Sequence, residues 1–160
     1  MNMLKSFSPL LGHFKGHGSN KEGSILLARM NGYEIITDIS YGFRLEVIDE
    51  ESQKALINSF LLLSLDAQGF VHVTLTDHIM HTSHLQWESQ SRMAPAESQS
   101  RIFLFQGVRD NKAPLHLRFE ITSAEKFGLT CASNQSNDKI LRHQWQLEME
   151  RGYDQSSRAA

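Results

Sequence analysis

The stretch Leu115-His116-Leu117-Arg118-Phe119-Glu120-Ile121-Thr122 alternates apolar and polar side chains at nearly every step, and Leu141-Arg142-His143-Gln144-Trp145-Gln146-Leu147-Glu148-Met149-Glu150 does the same. A period of two marks a strand with one buried face and one wet face. The same reading gives strands over His13 to Gly18, Ser24 to Met30, Tyr33 to Ser40, Phe43 to Ile48, Asn58 to Leu65, Phe70 to Thr76, Ile79 to Trp87, Ile102 to Val108 and Lys126 to Ala132. Ile140 to Glu150 is the last of the series.

Turn chemistry separates these runs. Asn31-Gly32 is a strong hairpin signal, because both residues accept the positive φ of a type I′ turn. Tyr41-Gly42 breaks or bulges the next run. Asp49 to Ala55 reads as a loop or a single helical turn. Asp66 to Gly69, Arg109 to Lys112 and Ser133 to Lys139 are polar turn clusters. Glu88 to Ser100, with Pro95 inside it, reads as the longest loop. Asn2 to Leu11 predicts a short leading helix, and Tyr153 to Ala160 a frayed tail. About ten or eleven short strands joined by hairpins, with little helix, predict an all-β chain forming one antiparallel up-and-down barrel over residues 1–160. Closure removes exposed sheet edges. Ten strands enclose room for a small ligand.

Composition narrows the partners. The chain has 160 residues with a formal net charge of −2, so nothing favours nucleic acid or an anionic membrane surface. Cys131 is the single cysteine, which excludes an internal disulfide framework and a cysteine-rich zinc site. No window approaches the ~20 apolar residues of a membrane helix. The short apolar stretch from Phe7 to Leu11 is broken by Pro9 and is no signal-peptide core. The expectation is a cytoplasmic protein without membrane insertion, with a homodimer left open.

No nucleophile elbow, P-loop or dinucleotide-binding glycine pattern occurs. His72, His78, His81 and His84 crowd thirteen residues. Strand geometry nonetheless sends His78 and His81 to opposite faces and spreads residues six apart over ~20 Å, so they read as surface and rim histidines rather than metal ligands. His13 and His17 face away from Phe14. Asp38, Asp77 and Glu120 read as solvated strand positions. Cys131 shares a face with Phe127 and Leu129 and reads as core packing. Trp87 is either a rim anchor or packing. Met93, between Arg92 and Arg101, sits in a loop that reads as an ordinary connection or as a lid favouring anions.

His143 differs. Unbroken alternation puts it on the face of Leu141, Trp145, Leu147 and Met149, where an imidazole has a hydrogen-bond partner or a ligand role. It is a satisfied core or rim histidine, a polar anchor in a pocket, or an axial ligand to heme, for which one imidazole suffices.

Leu11-Gly12-His13-Phe14-Lys15-Gly16-His17-Gly18 resembles the opening strand of calycin-type barrels, and Arg142-His143-Gln144-Trp145 leading to Met149-Glu150-Arg151 resembles their closing strand. Lipocalins open with Gly-x-Trp, and nitrobindin-like proteins with Leu-Gly-x-Trp-x-Gly-x-Gly; Phe14 stands where tryptophan is usual. The middle is closer to uncharacterised bacterial barrels related to lipocalins. The resemblance implies a lipocalin-like or fatty-acid-binding-protein-like barrel in which the aromatic at position 14 closes one end and packs near the last strands. From nitrobindins it implies heme held by His143, with gas or peroxynitrite chemistry.

The leading expectation is a small-molecule-binding barrel for an apolar ligand, lined by Phe14, Leu117, Phe119, Trp145 and Leu147 with His143 as anchor and no cofactor. A heme barrel is the second reading. A solid-cored interaction module, with the loop from Glu88 to Ser100 as its contact surface, is the third. An isomerase or cyclase is the fourth, since no acid–base pair can be named.

Overall fold

The computed structural model describes residues 3–77, 81–92, 100–108, 114–133 and 142–152; within its strands, the side chains of residues 81, 89–92, 108, 114, 133 and 142–144 lie outside the description. A 3-10 helix, Met3–Leu10, leads the chain. It is followed by β1 (Gly12–Asn20), β2 (Ile25–Ile36), β3 (Ser40–Asp49), β4 (Ala55–Leu65), β5 (Val71–Asp77), β6 (His81–Arg92), β7 (Arg101–Val108), β8 (Pro114–Ile121), β9 (Lys126–Ser133) and β10 (Arg142–Arg151). Each strand pairs antiparallel with its sequence neighbours, and β10 returns to β1, so the sheet closes as a barrel. The antiparallel up-and-down barrel expected from the alternation is therefore present, with every strand paired on both sides.

Alternation decides what is inside. Along β5, Val71, Val73 and Leu75 are buried while His72, Thr74 and Thr76 lie on the outer side. Along β8, Leu115, Leu117, Phe119 and Ile121 are buried, and on β9 Phe127, Leu129 and Cys131 face them. The 3-10 helix seals one end. It buries Leu4, Phe7 and Leu10, and the Phe7 ring packs 4.7 Å from Phe103, 5.3 Å from Phe119 and 5.9 Å from Phe105. Removing each such ring from water stabilises the fold by about 1.5–3 kcal/mol.

The seam between β1 and β10 is tied at the same end. Phe14 pairs with Arg151 in register, and its ring meets Phe127 edge-on at 4.9 Å. The aromatic at position 14 packs beside the last strands. Gly18 lets the two strands approach, since a Cβ there would lie 1.7 Å from the carbonyl oxygen of Gln146.

Three expectations about local structure are corrected. Asn31-Gly32 is not a turn: β2 runs through it, Asn31 pairing with Arg44 and Gly32 with Phe43. Glycine is required there for closeness, because a Cβ on Gly32 would sit 2.6 Å from the Phe43 ring and 2.7 Å from the Leu10 carbonyl oxygen. The chain reverses instead at residues 37–39, where Asp38 takes a φ of 60° and the Ile39 N–H donates to the Ile36 carbonyl. Tyr41-Gly42 does not interrupt β3. Glu88 to Arg92, expected in the long loop, belongs to β6, while residues 93–99 and the tail 153–160 lie outside the described residues. The turn at Asp66 to Gly69 forms as the residues suggest: the Asp66 carboxylate accepts from the N–H groups of Gln68 and Phe70, and Gly69 has a φ of 88°.

Candidate functional site

Inward-facing residues at the end away from the 3-10 helix form the candidate site. Strand direction places Asp77, Ser83, Leu115, Cys131 and Trp145 there, because β5 and β9 finish at that end while β6, β8 and β10 begin there. In register, Leu117 is level with Cys131 and Trp145, Phe119 with Leu129 and Leu147, and Ile121 with Phe127 and Met149 nearer the helix. Phe14, Leu117, Phe119, Trp145 and Leu147, expected to line the interior, are all buried inside it, Trp145 with 6% exposure and the others almost none. Cys131 is fully buried between Leu117 and Trp145 in register. The interior is thus largely hydrocarbon and aromatic.

His143 lies on β10 opposite Ala132, and the register shifts between His143 and Trp145. A bulge of this kind interrupts alternation. The period-two argument that joined His143 to the face of Trp145 therefore stops at the irregularity, and the His143 side chain lies outside the described residues. Each histidine whose side chain is described is on the outer surface. His13 lies beside Asn31, His72 bonds Asp66 at 2.7 Å, His84 faces Thr74, and His116 is 3.6 Å from Glu88; His17 is exposed. His78 lies outside the described residues, as does the side chain of His81.

Sequence reasoning missed a polar wall on β4, β5 and β6. Asp77, read as a solvated strand position, is buried with 7% exposure. Ser59, its partner across β4 and β5, is also buried and donates its hydroxyl to the Asp77 carboxylate at 3.3 Å. Ser83 pairs with Leu75, which makes it the diagonal neighbour of Asp77 across β5 and β6. It is 3% exposed, and among the described residues its hydroxyl has no hydrogen-bond partner. The signal was legible: Asp77 shares the parity of Val71, Val73 and Leu75, and Ser83 that of Leu85. In a ten-stranded barrel β5 stands across from β10, so this wall faces Trp145.

The other two carboxylates named from the sequence are elsewhere. Asp38 occupies the turn between β2 and β3. Glu120 is on the outer face, 3.4 Å from Arg118. Trp87, further along β6, stacks on Phe70 with ring centroids 5.1 Å apart, and its buried indole N–H also has no partner among the described residues. Of three depressions formed by described residues, the largest, about 500 Å³, runs over Lys15, Leu27, Arg29, Glu46 and Ile48, and one of about 400 Å³ is lined by Tyr33, Arg44, Phe60, Thr76, Ser59 and Asp77. No helix among the described residues is long and apolar enough to cross a membrane.

No protein-family model matches the chain, and no curated protein does. Solved structures do. The crystal structure of Rv2717c from M. tuberculosis superposes with a TM-score of 0.70 at 13% identity, covering 94% of this chain and 97% of that one. An S-type phycobiliprotein lyase, CPES, from Guillardia theta gives a TM-score of 0.57 at 12% identity, over 96% of this chain and 94% of that one. A redesigned β-barrel, mFAP0, bound to DFHBI gives 0.51 at 9% identity, over 90% of this chain and all of the other. At these identities the likeness is one of fold: a closed, ten-stranded antiparallel β-barrel.

Proposed function

We propose that this protein binds a small, largely apolar molecule inside the barrel, entering from the end opposite the 3-10 helix. One observation carries the reading: the interior is apolar on the walls bearing Leu117, Leu129, Trp145 and Leu147, but presents the hydrogen-bonding groups of Ser59, Asp77 and Ser83 on the facing wall. A purely structural core has no need of a carboxylate, and burying one is costly. An apolar pocket with a few placed polar groups is the usual form of a small-molecule site. The likeness to a barrel bound to DFHBI and to a phycobiliprotein lyase supports this direction without naming the ligand. Phe14, Leu117, Phe119, Trp145 and Leu147 supply contact area in this reading.

The test is uptake of the apolar fluorophore N-phenyl-1-naphthylamine, together with mass spectrometry of organic extracts of the purified protein. Saturable one-to-one binding, reduced by Leu117→Trp filling the interior, supports the reading. A folded protein that takes up no probe and releases no small molecule overturns it. Hemin serves as a second ligand in the same assay: a Soret band lost in His143→Ala would transfer the proposal to heme.

A further inference from the structure

We propose that the outer face of β1, β2 and β3 binds a free monoanionic amphiphile, a fatty carboxylate by chemical class, with Lys15 and Arg29 holding the anion and Leu27 and Ile48 the chain. This site lies outside the barrel and does not depend on the interior reading above.

Lys15 and Arg29 stand directly opposite each other across β1 and β2, both exposed on the outer face. Like charges so placed repel and weaken the strand pair. A threonine or glutamine at either position would avoid that repulsion. Register extends the row on both sides, to Glu150 and Lys126 beyond Lys15 and to Glu46 beyond Arg29, so the signs alternate except at Lys15 and Arg29. Both flanking carboxylates have another cation at hand: Glu150 is 3.4 Å from Lys126, and Glu46 is 3.2 Å from Arg44. Among the described residues the Lys15 and Arg29 side chains have no ion pair or hydrogen bond. Glu148 lies opposite His17 on the same face. Four cations, Lys15, Arg29, Arg44 and Lys126, therefore meet three carboxylates, and one bound anion balances the remainder.

The same two cations edge the groove of about 500 Å³, whose walls include Leu27 and Ile48. Leu27 pairs with Ile48 in register, two residues beyond Arg29 toward the open end, and Ile25 continues that outer line with 57% exposure. From Arg29 to Ile25 the strand covers about 13 Å, at roughly 3.3 Å per residue, the reach of a medium-length alkyl chain. An apolar strip that ends in two cations matches a molecule with an apolar body and one anionic end, and a carboxylate accepts charge-assisted hydrogen bonds from both Lys15 and Arg29. An anionic membrane matches this surface less well. The Glu50 N–H donates to the Ile25 carbonyl, so Asp49-Glu50-Glu51 adjoins the apolar end of the strip and would repel the headgroups.

The test probe is 8-anilinonaphthalene-1-sulfonate, an apolar body with one anionic group; N-phenyl-1-naphthylamine is the same skeleton without the sulfonate. The sulfonate should bind saturably and be displaced by decanoate below its micelle concentration. Lys15→Gln and Arg29→Gln should each weaken sulfonate binding roughly two- to fivefold, as for an exposed charge pair, without changing the response to N-phenyl-1-naphthylamine. Lys15→Glu should abolish it, with the fold checked by circular dichroism. Leu27→Ser should weaken it as well. Lys54→Gln, an exposed control between β3 and β4, and Leu117→Trp, inside the barrel, should leave it unchanged. Sulfonate binding that ignores Lys15→Gln and Arg29→Gln, responds equally to Lys54→Gln, or disappears in Leu117→Trp overturns the inference. Sedimentation with phosphatidylglycerol vesicles in place of displacement by decanoate also overturns it, by making the surface a membrane contact. Failure of wild-type protein to take up N-phenyl-1-naphthylamine bears on the interior reading alone.

Discussion

The Arg151 guanidinium lies over the face of the Phe14 ring, its Cζ 4.6 Å from the ring centroid. The same group donates to the carbonyl oxygens of Leu11 at 2.9 Å, Pro9 at 2.7 Å and Ala124 at 3.0 Å. One side chain at the end of β10 thereby holds the first strand, the 3-10 helix and the turn before β9. Arg151→Ala removes charged hydrogen bonds and the cation–π contact together. The expected loss is about 2–4 kcal/mol, since charge-assisted bonds contribute roughly 1.5–3 kcal/mol each and are not additive. Urea denaturation followed by circular dichroism measures it. Arg151→Lys should recover only part, because a lysine cannot fork to three carbonyls. A midpoint unchanged in Arg151→Ala would refute this account of the sealed end.

Phe7 fills that end from the helix side. Phe7→Ala leaves Phe103, Phe105 and Phe119 facing a void. The expected destabilisation is about 3–5 kcal/mol, as for other buried phenylalanines. With a slope against urea close to wild type, the loss comes from the folded state. The thermal midpoint should fall by roughly 6–20 °C for a chain of this length.

Gly32→Ala tests whether this glycine serves closeness rather than turning. A methyl group there must displace the Phe43 ring or the backbone at Leu10. The expected cost is about 1–3 kcal/mol, the usual range for overpacking. Asn31→Ala, one residue away and exposed, should cost much less. Comparable losses for the two variants would contradict the packing explanation.

The Asp66 carboxyl is held below the ordinary carboxylate value of 3.8, first by its bond to the His72 side chain and then by the Phe70 and Gln68 N–H groups. A carboxyl whose folded value is depressed stabilises the fold fully above its unfolded value, and that stabilisation disappears as pH falls through the folded value. The turn should therefore keep its contribution above about pH 5 and lose it as pH drops from about 4 downward. Stability measured against pH for wild type and Asp66→Asn should converge in strong acid and separate above about pH 5. A gap that stays constant with pH would argue against the ionic role of Asp66.

Much of the barrel was legible because strand periodicity is a local property. Val71 to Leu75, Leu115 to Ile121 and Trp145 to Met149 alternate without help from distant residues, and their inward faces follow directly. The Asp66 turn was legible for the same reason, since its hydrogen bonds span four residues. Asn31-Gly32 misled because a local signal was overridden at long range. Only the fold shows that Leu10 and Phe43 crowd Gly32, and that the chain turns six residues later with Asp38 at positive φ. Asp77 is ambiguous for a different reason: its charge argues for water, while its parity with Val71, Val73 and Leu75 argues for the interior. His143 stands beside a register shift that no amino-acid pattern announces.

The pairing of β1 with β10 bears on how the chain reaches this state. Arg151 and Pro9 are 142 positions apart, so the contact that fastens the sealed end is absent until nearly the whole described chain has been synthesised. Until then β1 and the growing edge of the sheet both expose unpaired backbone. Barrels rich in such distant pairings fold slowly, and their unfinished sheets invite pairing with other chains. A truncation ending before β10 should therefore yield an aggregating sheet rather than a smaller barrel. Yield during expression should respond to temperature and chaperone supply more than the stability of the finished fold would suggest.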